Sequence, residues 1–456
     1  MGFFDLLDLS SPETRPILNF LPALVSRFMT SPKAVEHDVS FDLTTSPIRQ
    51  VALRRPHRPS SVRLPLEVVL SIIEAAYYDN NQPDESLLKQ CSLVCRAWSG
   101  PAQKLLFSHV TLRTETACDS FRDAVDRSTA RGRGLGDAVT RLRVVMDHNQ
   151  PFGITQHSFG DAVTLCPNLY ELNLALYGCA APGEDVVGVP DVSRMRRPAP
   201  SFDETTLTLL RSGPKISALQ FSNWSENQYS ITQLLDVWPS LKSLAISGTP
   251  PQPPSPVLEP FACSLEELRM NFQTPPSLEF VSWLLHNSSE TLRVLEFERE
   301  PSTQLLEHLI NEHHSTLVSL SLPSCPSSDL AAAVQKCRQL KDLRVEHQSV
   351  TPKLFRDLPE SLEHIALGLN RNTHLQPVID TVRSTESIKV LTLNISDGGD
   401  QHPLFPVLKM ACAYQGVDMR IVRDIKMFRS MMRGDPVPTS SFPRFQSLDN
   451  LYVMRS

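Results

Sequence analysis

Cys91 and Cys95 stand four residues apart, at a spacing that could do chemistry. On a helix the two thiols would lie one turn apart on the same face, where they could bind a soft metal ion or form a redox pair. A structural zinc site needs four ligands, however, and no second Cys or His pair stands at a matching spacing. The residues around the two cysteines are largely apolar, so we interpret both as thiols buried in a helical core.

A second group of possible metal ligands comes further along the chain. It consists of His308, Glu312, His313 and His314. A helical zinc site needs two His side chains at i and i+4, and this spacing does not provide them. We interpret the group as the solvated end of an outer helix.

Phosphate-binding and nucleophilic motifs do not occur in the sequence. The glycine-rich residues 131–136 have the composition of a phosphate loop but not its spacing, and we predict a turn there before a strand at Val139. Neither a G-x-S-x-G elbow nor a dinucleotide fingerprint is present. The sequence therefore predicts no catalytic residue, no cofactor and no bound metal, and favours a protein that is not an enzyme.

Length and composition exclude several further classes of protein. A chain of 456 residues is long enough for two or three domains, or for one domain and a repeat array. The net charge of −6 arises from interspersed acidic and basic residues, so we expect neither a nucleic-acid partner nor a membrane partner. An apolar run of about eighteen residues, which a membrane span requires, does not occur. Nine scattered cysteines are typical of reduced thiols, and we expect a cytoplasmic or nuclear protein.

The two cysteines belong to a stretch, residues 62–107, whose pattern predicts three short helices. Its first part has apolar residues every three or four positions, at Val68, Val69, Ile72, Ile73 and Ala76. Asp84 can cap a second helix, whose apolar face would comprise Leu87, Leu88, Cys91, Val94, Cys95 and Trp98. Ser99 can cap a third helix, with Pro101 near its start. Three such helices bury too little surface alone, so we expect them to pack on the following chain, to present an apolar face to a partner, or to do both.

This stretch contains two short motifs. They are Leu64-Pro65 with Glu67 and Val68, and the run Cys91-Ser-Leu93-Val94-Cys95-Arg96 followed by Trp98. Together they resemble the F-box, in the form common among fungal F-box proteins. Members of this family dock on a Skp-family adaptor, and through it on a cullin, in SCF-type ubiquitin ligases. The resemblance implies that the adaptor-binding residues are Leu64, Pro65, Val68, Ile72, Leu93, Val94, Cys95 and Trp98. The loop at 77–85 is longer than the usual link between the first two helices of the family.

From residue 108 onward one pattern dominates, in which an apolar residue is followed by two more, three and five positions later. The segment SHVTL at 108–112 predicts a first strand. The full pattern then starts at Val139, Leu169, Ile216, Leu241, Leu265, Leu292, Leu317, Leu340, Leu362 and Ile388. The intervals between these starts lie between 22 and 30 residues, except for one of 47. Such a series is the signature of leucine-rich repeats, whose periods are about 20 to 29 residues.

The resemblance to leucine-rich-repeat proteins implies an α/β fold. Each triplet would form a short strand with its second and third residues turned into the core, and helical segments such as 302–311 and 329–337 would cover them. Stacked coils would form a right-handed solenoid with a parallel concave sheet and outer helices. The repeats are degenerate, because the Asn or Cys that the family carries eight residues after the first Leu is present here only as Cys325 and Asn370.

These patterns also set the expected domain boundaries. We predict a mostly disordered arm at 1–61, the F-box at 62–107, the solenoid at 108–425 and a C-terminal cap or tail at 426–456. Two segments rich in proline, 179–203 and 250–260, lack helical periodicity, and we predict that they are loops leaving the solenoid.

The residues that point away from the core follow from the strand register. Those that form the candidate substrate-binding surface are Glu267, Arg269, Glu296, Glu298, Asp342, Arg344 and Glu346. This face is polar and mildly acidic, and we expect it to be solvated. Its assignment to substrate binding rests on analogy with the fold.

The sequence therefore favours the substrate-recognition subunit of an SCF-type ubiquitin ligase. The F-box would dock on the Skp-family adaptor, and the repeats would bind a protein substrate whose identity the sequence leaves open. The alternative is a non-catalytic repeat scaffold that binds proteins without leading to their ubiquitylation. Both readings need the same docking face, so the sequence does not separate them.

Overall fold

The computed structural model describes residues 65–79, 82–178, 199–225, 227–252, 261–347 and 349–434. The predicted arm at 1–61, Leu64, most of the predicted loops at 179–203 and 250–260, and the chain after 434 lie outside the described residues. The chain divides into two compact units, whose described residues are 65–106 and 107–434.

The described residues of the first unit form three helices and a small hairpin. Helix α1 covers Leu66–Tyr77, α2 covers Glu85–Val94 and α3 begins at Arg96 and ends at Ser108. Strands β1 (Tyr78–Asp79) and β2 (Gln82–Pro83) pair antiparallel between α1 and α2. This hairpin accounts for the extra length of the link between the first two helices.

A small apolar core holds these helices together. It consists of Val69, Leu70, Ile73, Leu88, Cys91, Ala102 and Leu105, with Leu87, Trp98 and Leu106 packed against it. Asp84 caps α2, because its carboxylate accepts a hydrogen bond from the Leu87 N–H at 3.0 Å. The predicted cap of the second helix is therefore confirmed.

Two details of the sequence interpretation are wrong in this unit. Helix α3 does not begin after Ser99, because the Cys95 carbonyl already accepts a hydrogen bond from the Ser99 N–H at 2.9 Å, and Pro101 lies inside the helix. Cys95 is extended and exposed, whereas Cys91 is buried, so only Cys91 is a core thiol. The extended residue at 95 ends α2 and breaks the helical phase that would have placed both thiols on the buried face.

The second unit is organised around a sheet of twelve parallel strands that lie side by side in sequence order. The strands are β3 (His109–Leu112), β4 (Arg141–Asp147), β5 (Glu171–Tyr177), β6 (Ala218–Trp224), β7 (Ser243–Gly248), β8 (Glu267–Phe272), β9 (Val294–Phe297), β10 (Ser319–Leu322), β11 (Asp342–Val345), β12 (His364–Leu369), β13 (Val390–Ile395) and β14 (Asp418–Val422). The ten predicted triplets and the predicted first strand at 108–112 are confirmed.

Stacked leucines explain this register. Leu142, Leu172, Leu219 and Leu244 are Cα partners in successive strands, and all four are buried. Because each repeat places an apolar residue at the same level, neighbouring coils bury one continuous row of side chains. The second residue of each triplet therefore sets the alignment of the strands.

Helices connect most of the strands. They are α4 (Glu115–Ala124), α5 (Ala130–Ala138), α6 (Gln156–Thr164), α7 (Glu204–Ser212), α8 (Ser230–Val237), α9 (Leu278–Leu285), α10 (Thr303–His313), α11 (Ser328–Gln335), α12 (Leu375–Ser384) and α13 (Phe405–Gln415). Side chains that cap α4, α5, α6, α7, α9, α10 and α11 are Thr114, Thr129, Thr155, Asp203, Ser277, Ser302 and Ser327. Thr129 accepts a hydrogen bond from the Gly132 N–H at 2.9 Å, so residues 131–136 are helical and the predicted turn is wrong.

This arrangement of a parallel sheet with outer helices is an α/β fold. It is consistent with a leucine-rich-repeat-like solenoid, as the repeat pattern implies.

The sheet face opposite the leucine row changes character along the unit. In β4, β6 and β7 buried residues largely alternate with more exposed ones, whereas in β9 to β12 the side chains on both faces are buried. A last helix, α14 (Ile425–Gly434), contributes to this burial, because Phe428 packs against Ala366 and Val422. The expectation of a solvated face is therefore wrong for β9 to β12, and the predicted tail begins as a helix on that face.

Candidate protein-interaction surfaces

Exposed apolar side chains are concentrated in the first unit. Among the residues that the structure describes, twelve large apolar side chains are exposed, and four of them belong to this unit. They are Val68 (41% exposed), Ile72 (42%), Leu93 (64%) and Val94 (63%). None of these four side chains belongs to the apolar core that the described residues of this unit form.

The geometry of α1 and α2 explains why these residues face outward. Val68 and Ile72 are one turn apart on α1, while the adjacent Val69 and Ile73 enter the core. Leu93 and Val94 form the last residues of α2, beyond the point where Leu88 and Cys91 pack inward. Each helix is thus apolar over more of its surface than the core of the unit uses.

The structure places the predicted adaptor-binding residues as follows. Pro65, Val68, Ile72, Leu93, Val94 and Cys95 are exposed, and Trp98 is partly buried against the core. Leu64 lies outside the described residues. The expected apolar face of the second helix is divided, because Leu88 and Cys91 point inward and Val94 and Cys95 point outward.

A second surface is formed by the sheet face that α14 partly covers. Six of the seven predicted substrate-binding residues there belong to one continuous set of ion pairs, in which Arg429 of α14 joins Glu298 to the others. We call this set the glutamate–arginine cluster, and it comprises Glu267, Arg269, Glu296, Glu298, Arg344 and Glu346. The expectation that these residues are solvated is wrong, since Glu267, Glu296, Arg344 and Glu346 are at most 3% exposed.

Ion pairs run across the strands within this cluster. Arg269 pairs with Glu267 on its own strand, and its Nε lies 3.2 Å from Glu296 on β9. The Nη2 of Arg344 lies 2.6 Å from Glu296 and 3.2 Å from Glu346. Buried charges are tolerated only when they are paired in this way.

Arg429 of α14 completes the cluster, and sequence reasoning missed it. Its Nε and Nη2 donate hydrogen bonds to the two carboxylate oxygens of Glu346 at 2.8 and 2.6 Å, and its Nη1 donates to Glu298 at 2.8 Å. Burial lowers the pKa of Arg429, but the hydrogen bond and charge of Glu346 and the charges of Glu298 and Glu296 outweigh it and raise the pKa above its ordinary value. Arg429 lies 131 residues after Glu298, so no local spacing in the sequence could have indicated the contact.

Asp342, the seventh predicted residue, belongs to a separate polar row. Ser319 donates to its Oδ2 at 2.8 Å, its Oδ1 lies 3.5 Å from Nδ1 of His364, and Nε2 of His364 lies 2.9 Å from the hydroxyl of Thr392. A hydroxyl, an imidazole and a carboxylate in this order occur in nucleophilic catalysis. Thr392 is fully buried, however, so no substrate can reach its hydroxyl in this structure. The row joins four strands through two buried hydrogen bonds and the buried contact between Asp342 and His364.

The histidine group at 308–314 behaves differently from the expectation. His308 lies 3.2 Å from Glu312 at the surface, whereas His313 is fully buried, so the helix end is only partly solvated. Burial lowers the pKa of His313.

Among the described residues no group of three or more His, Cys, Asp or Glu side chains is placed to hold a metal ion. Within the same part of the chain, no helix has the length and apolarity to cross a membrane.

Comparisons with known proteins identify no family for this chain. No protein-family model matches it, and no curated protein matches it. Among solved structures, one match is the crystal structure of a TLR13–ssRNA13 complex, at 16% sequence identity and a TM-score of 0.28. The match covers 56% of this chain and 30% of the length of that chain.

Proposed function

We propose that this protein is the substrate-recognition subunit of an SCF-type ubiquitin ligase. The first unit would be an F-box that docks on a Skp-family adaptor, and through it on a cullin. The repeat unit would bind a protein substrate. The chain itself would carry no catalytic group.

One observation carries the proposal. Val68, Ile72, Leu93 and Val94 are exposed although they are apolar, and all four stand at positions that the F-box resemblance assigns to the adaptor. Two of them lie on α1 and two at the end of α2, so helices present the apolar side chains, as in other modes of recognition based on helix faces. Burial of one such side chain against a partner contributes about 1.5 to 3 kcal/mol, which is enough for a specific contact when several act together.

The expected role of the chain is positional. A bound substrate would be held near a ubiquitin-conjugating enzyme recruited by the rest of the ligase, and the gain in rate would come from raised effective concentration. The regular sheet of the repeat unit suits this role, since it offers a partner an extended surface.

Capture of a Skp-family adaptor tests the docking surface. The full chain carrying Leu93→Ser and Val94→Ser is compared with wild type in a pull-down with the purified adaptor. We expect the variant to lose at least about ten-fold in affinity, because each 1.4 kcal/mol of lost apolar contact corresponds to a factor of ten. Thermal unfolding of the repeat unit should be unchanged.

A matched control is available on α13. Met410 (72% exposed) and Tyr414 (88%) are apolar residues of similar exposure in the second unit, and Met410→Ser with Tyr414→Ser should leave adaptor capture intact. Capture of the adaptor by the Leu93/Val94 variant at wild-type affinity would refute the docking surface. If wild type captures the adaptor but cullin is not recruited and no bound protein is turned over, the repeat scaffold without ubiquitylation is the correct function.

A further inference from the structure

The balance of charge in the glutamate–arginine cluster depends on a residue outside the strands. The cluster contains four carboxylates, and its two guanidinium groups, those of Arg269 and Arg344, pair with three of them, Glu267, Glu296 and Glu346. Arg429 of α14 supplies a third cation, which pairs with Glu298 and Glu346. Without Arg429 the cluster would retain two more negative than positive charges in a largely buried setting, and such an excess is costly. A further cationic side chain on this sheet face therefore compensates the excess negative charge of the cluster.

The side chains of α14 that the structure describes, at 425–429, attach the helix to this face through Phe428 and Arg429. Phe428 is fully buried against Ala366 and Val422, and Arg429 is partly buried, but Ile425 and Met427 are 37% and 54% exposed. The helix follows β14 after a link of two residues. Elements with few buried apolar contacts open more readily than the strands beneath them. Helix α14 is therefore attached through one buried aromatic side chain, Phe428, and through the paired hydrogen bonds of Arg429.

We propose that α14 is a displaceable ligand of its own chain, and that the face beneath it binds a segment of another protein with an arginine beside a large apolar side chain. This proposal rests on the proposed role of the repeat unit in substrate binding, and it does not depend on docking to the adaptor. The partner segment takes the positions that Phe428 and Arg429 hold in the closed chain.

The chemistry of the face defines what it accepts. The two oxygens of Glu346 receive two donors of a planar guanidinium in parallel, an arrangement that lysine cannot reproduce. Ala366 and Val422 form an apolar seat beside it. Because α14 and the partner compete for one place, the apparent affinity of the partner is reduced by the small fraction of chains in which α14 is displaced.

Binding of a labelled peptide tests the proposal. The probe is a fluorescent peptide with the sequence of residues 423–434, and the protein is the full chain, either wild type or with Phe428→Asp and Arg429→Glu. We expect fluorescence anisotropy to show at least about ten-fold tighter binding to the variant, because the competing helix has been released. Equal affinity for a folded variant and for wild type would overturn the proposal.

Matched peptides and a second pair of substitutions define the contact. A peptide with Arg429→Gln should lose binding, whereas one with Arg423→Gln should retain it, since Arg423 makes only a surface contact with Asp400. Adding Glu298→Gln and Glu346→Gln to the released chain should also abolish binding. A peptide that binds equally well without its Arg429 would overturn the proposed chemistry.

Hydrogen exchange on the wild-type chain keeps the test independent of whether the variant folds. We expect the amides of α14 to exchange at least about ten times faster than those of β12 and β13, as for a helix that opens locally. Equal protection would make α14 a fixed part of the fold and overturn the proposal. Concentration-dependent dimerisation of the wild-type chain would show that copies exchange α14, and would overturn the assignment of another protein as occupant.

None of these measurements involves the adaptor, so their failure is distinguishable from failure of the docking surface.

Discussion

The guanidinium of Arg429 and the carboxylate of Glu346 form a two-bonded fork, although the residues are 83 positions apart in the chain. Nε lies 2.8 Å from Oε1 and Nη2 lies 2.6 Å from Oε2. The glutamate is 1% exposed and the arginine 24% exposed, so water screens the pair only weakly. This contact joins the last described helix to the end of β11.

A double-mutant cycle should measure this contact directly. We expect Arg429→Ala and Glu346→Gln to be coupled by about 2 kcal/mol in the free energy of unfolding, because each substitution leaves the other partner without its fork. Urea unfolding of the two single variants and the double variant gives this coupling energy.

The exposed pair of Arg423 and Asp400 provides the control for that cycle. Its atoms are 3.5 Å apart, and the side chains are 75% and 45% exposed. Its coupling should be close to zero, because solvent screens the charges. A coupling of the Arg429 pair as small as that of the control would contradict the packing of α14 on the sheet.

A glycine at the end of β7 should not tolerate a side chain. Gly248 has a φ of +92°, and a Cβ added there would lie 2.0 Å from the carbonyl oxygen of Asn223 on the neighbouring strand. We expect Gly248→Ala to destabilise the repeat unit by about 2 kcal/mol or more, because both the backbone conformation and the space exclude alanine. Thermal unfolding of the purified variant measures the effect.

Gly134, in the middle of α5, is the matched control. A Cβ added there would meet no atom within 4 Å, so Gly134→Ala should stabilise the helix by up to about 1 kcal/mol. If both substitutions lower the unfolding temperature equally, the strained turn at Gly248 is not present.

Acid should destabilise the repeat unit partly through His313. Burial lowers the pKa of this imidazole below the ordinary 6.5, opposed by the charge of Glu312 and a backbone hydrogen bond and supported by His308. Above pH 6.5 both the folded and the unfolded side chains are neutral, and the folded state suffers no penalty. Below it the unfolded side chain takes up a proton and the folded one does not, so stability falls by as much as about 1.4 kcal/mol per pH unit until the folded pKa is reached.

The substitution His313→Leu should remove this part of the pH dependence. Urea unfolding at pH 7.5 and at pH 5.5 should show a smaller loss of stability for the variant than for wild type. His157, whose side chain is 76% exposed, is the control, and His157→Asn should leave the slope unchanged. A variant at position 313 with the wild-type slope would show that the imidazole is protonated equally in both states.

Alkylation should distinguish Cys95 from the core thiols. Cys95 is exposed, whereas burial raises the pKa of Cys118, Cys325 and Cys337 to about 12. We expect iodoacetamide at pH 7.5 to modify Cys95 at least about ten times faster than the other three, because only accessible thiolate reacts. Mass spectrometry of peptides from briefly treated protein measures the rates.

Alkylation of Cys95 also tests the proposed docking surface around Leu93 and Val94. A bound Skp-family adaptor should protect Cys95 if this residue lies in the contact, and urea should make all the thiols react alike. Modification of Cys95 at an unchanged rate in the purified complex would place it outside the contact.

Much of the repeat unit could be predicted because the sequence pattern that specifies each strand lies within a few residues and recurs in every repeat. The leucine triplets specify strands at the correct residues, and Thr or Ser before a helical segment marks its first turn. The glycine-rich residues 131–136 show where this reasoning failed, since composition suggested a turn while the Thr129 cap and the packing of Leu135 made a helix.

In the first unit, too, some features could be predicted from the sequence and others could not. Apolar spacing in the sequence predicted the three helices, but it did not predict that Val69 would turn inward while Val68 turned outward. Leu88 and Val94 were placed on one face, yet the extended backbone at Cys95 ended α2 and exposed its last residues. Periodicity defines an apolar surface, and only the packing of neighbouring helices decides which part of that surface is covered.

The sequence by itself determined the strands, their register and the outward position of Glu296, Arg344 and Glu346, because those follow from alternation along a strand. Tertiary structure alone decided that these charges are buried and that Arg429 completes their pairing. An ion pair between residues 83 or 131 positions apart forms only when the chain returns to the sheet, and no spacing in the sequence encodes that return.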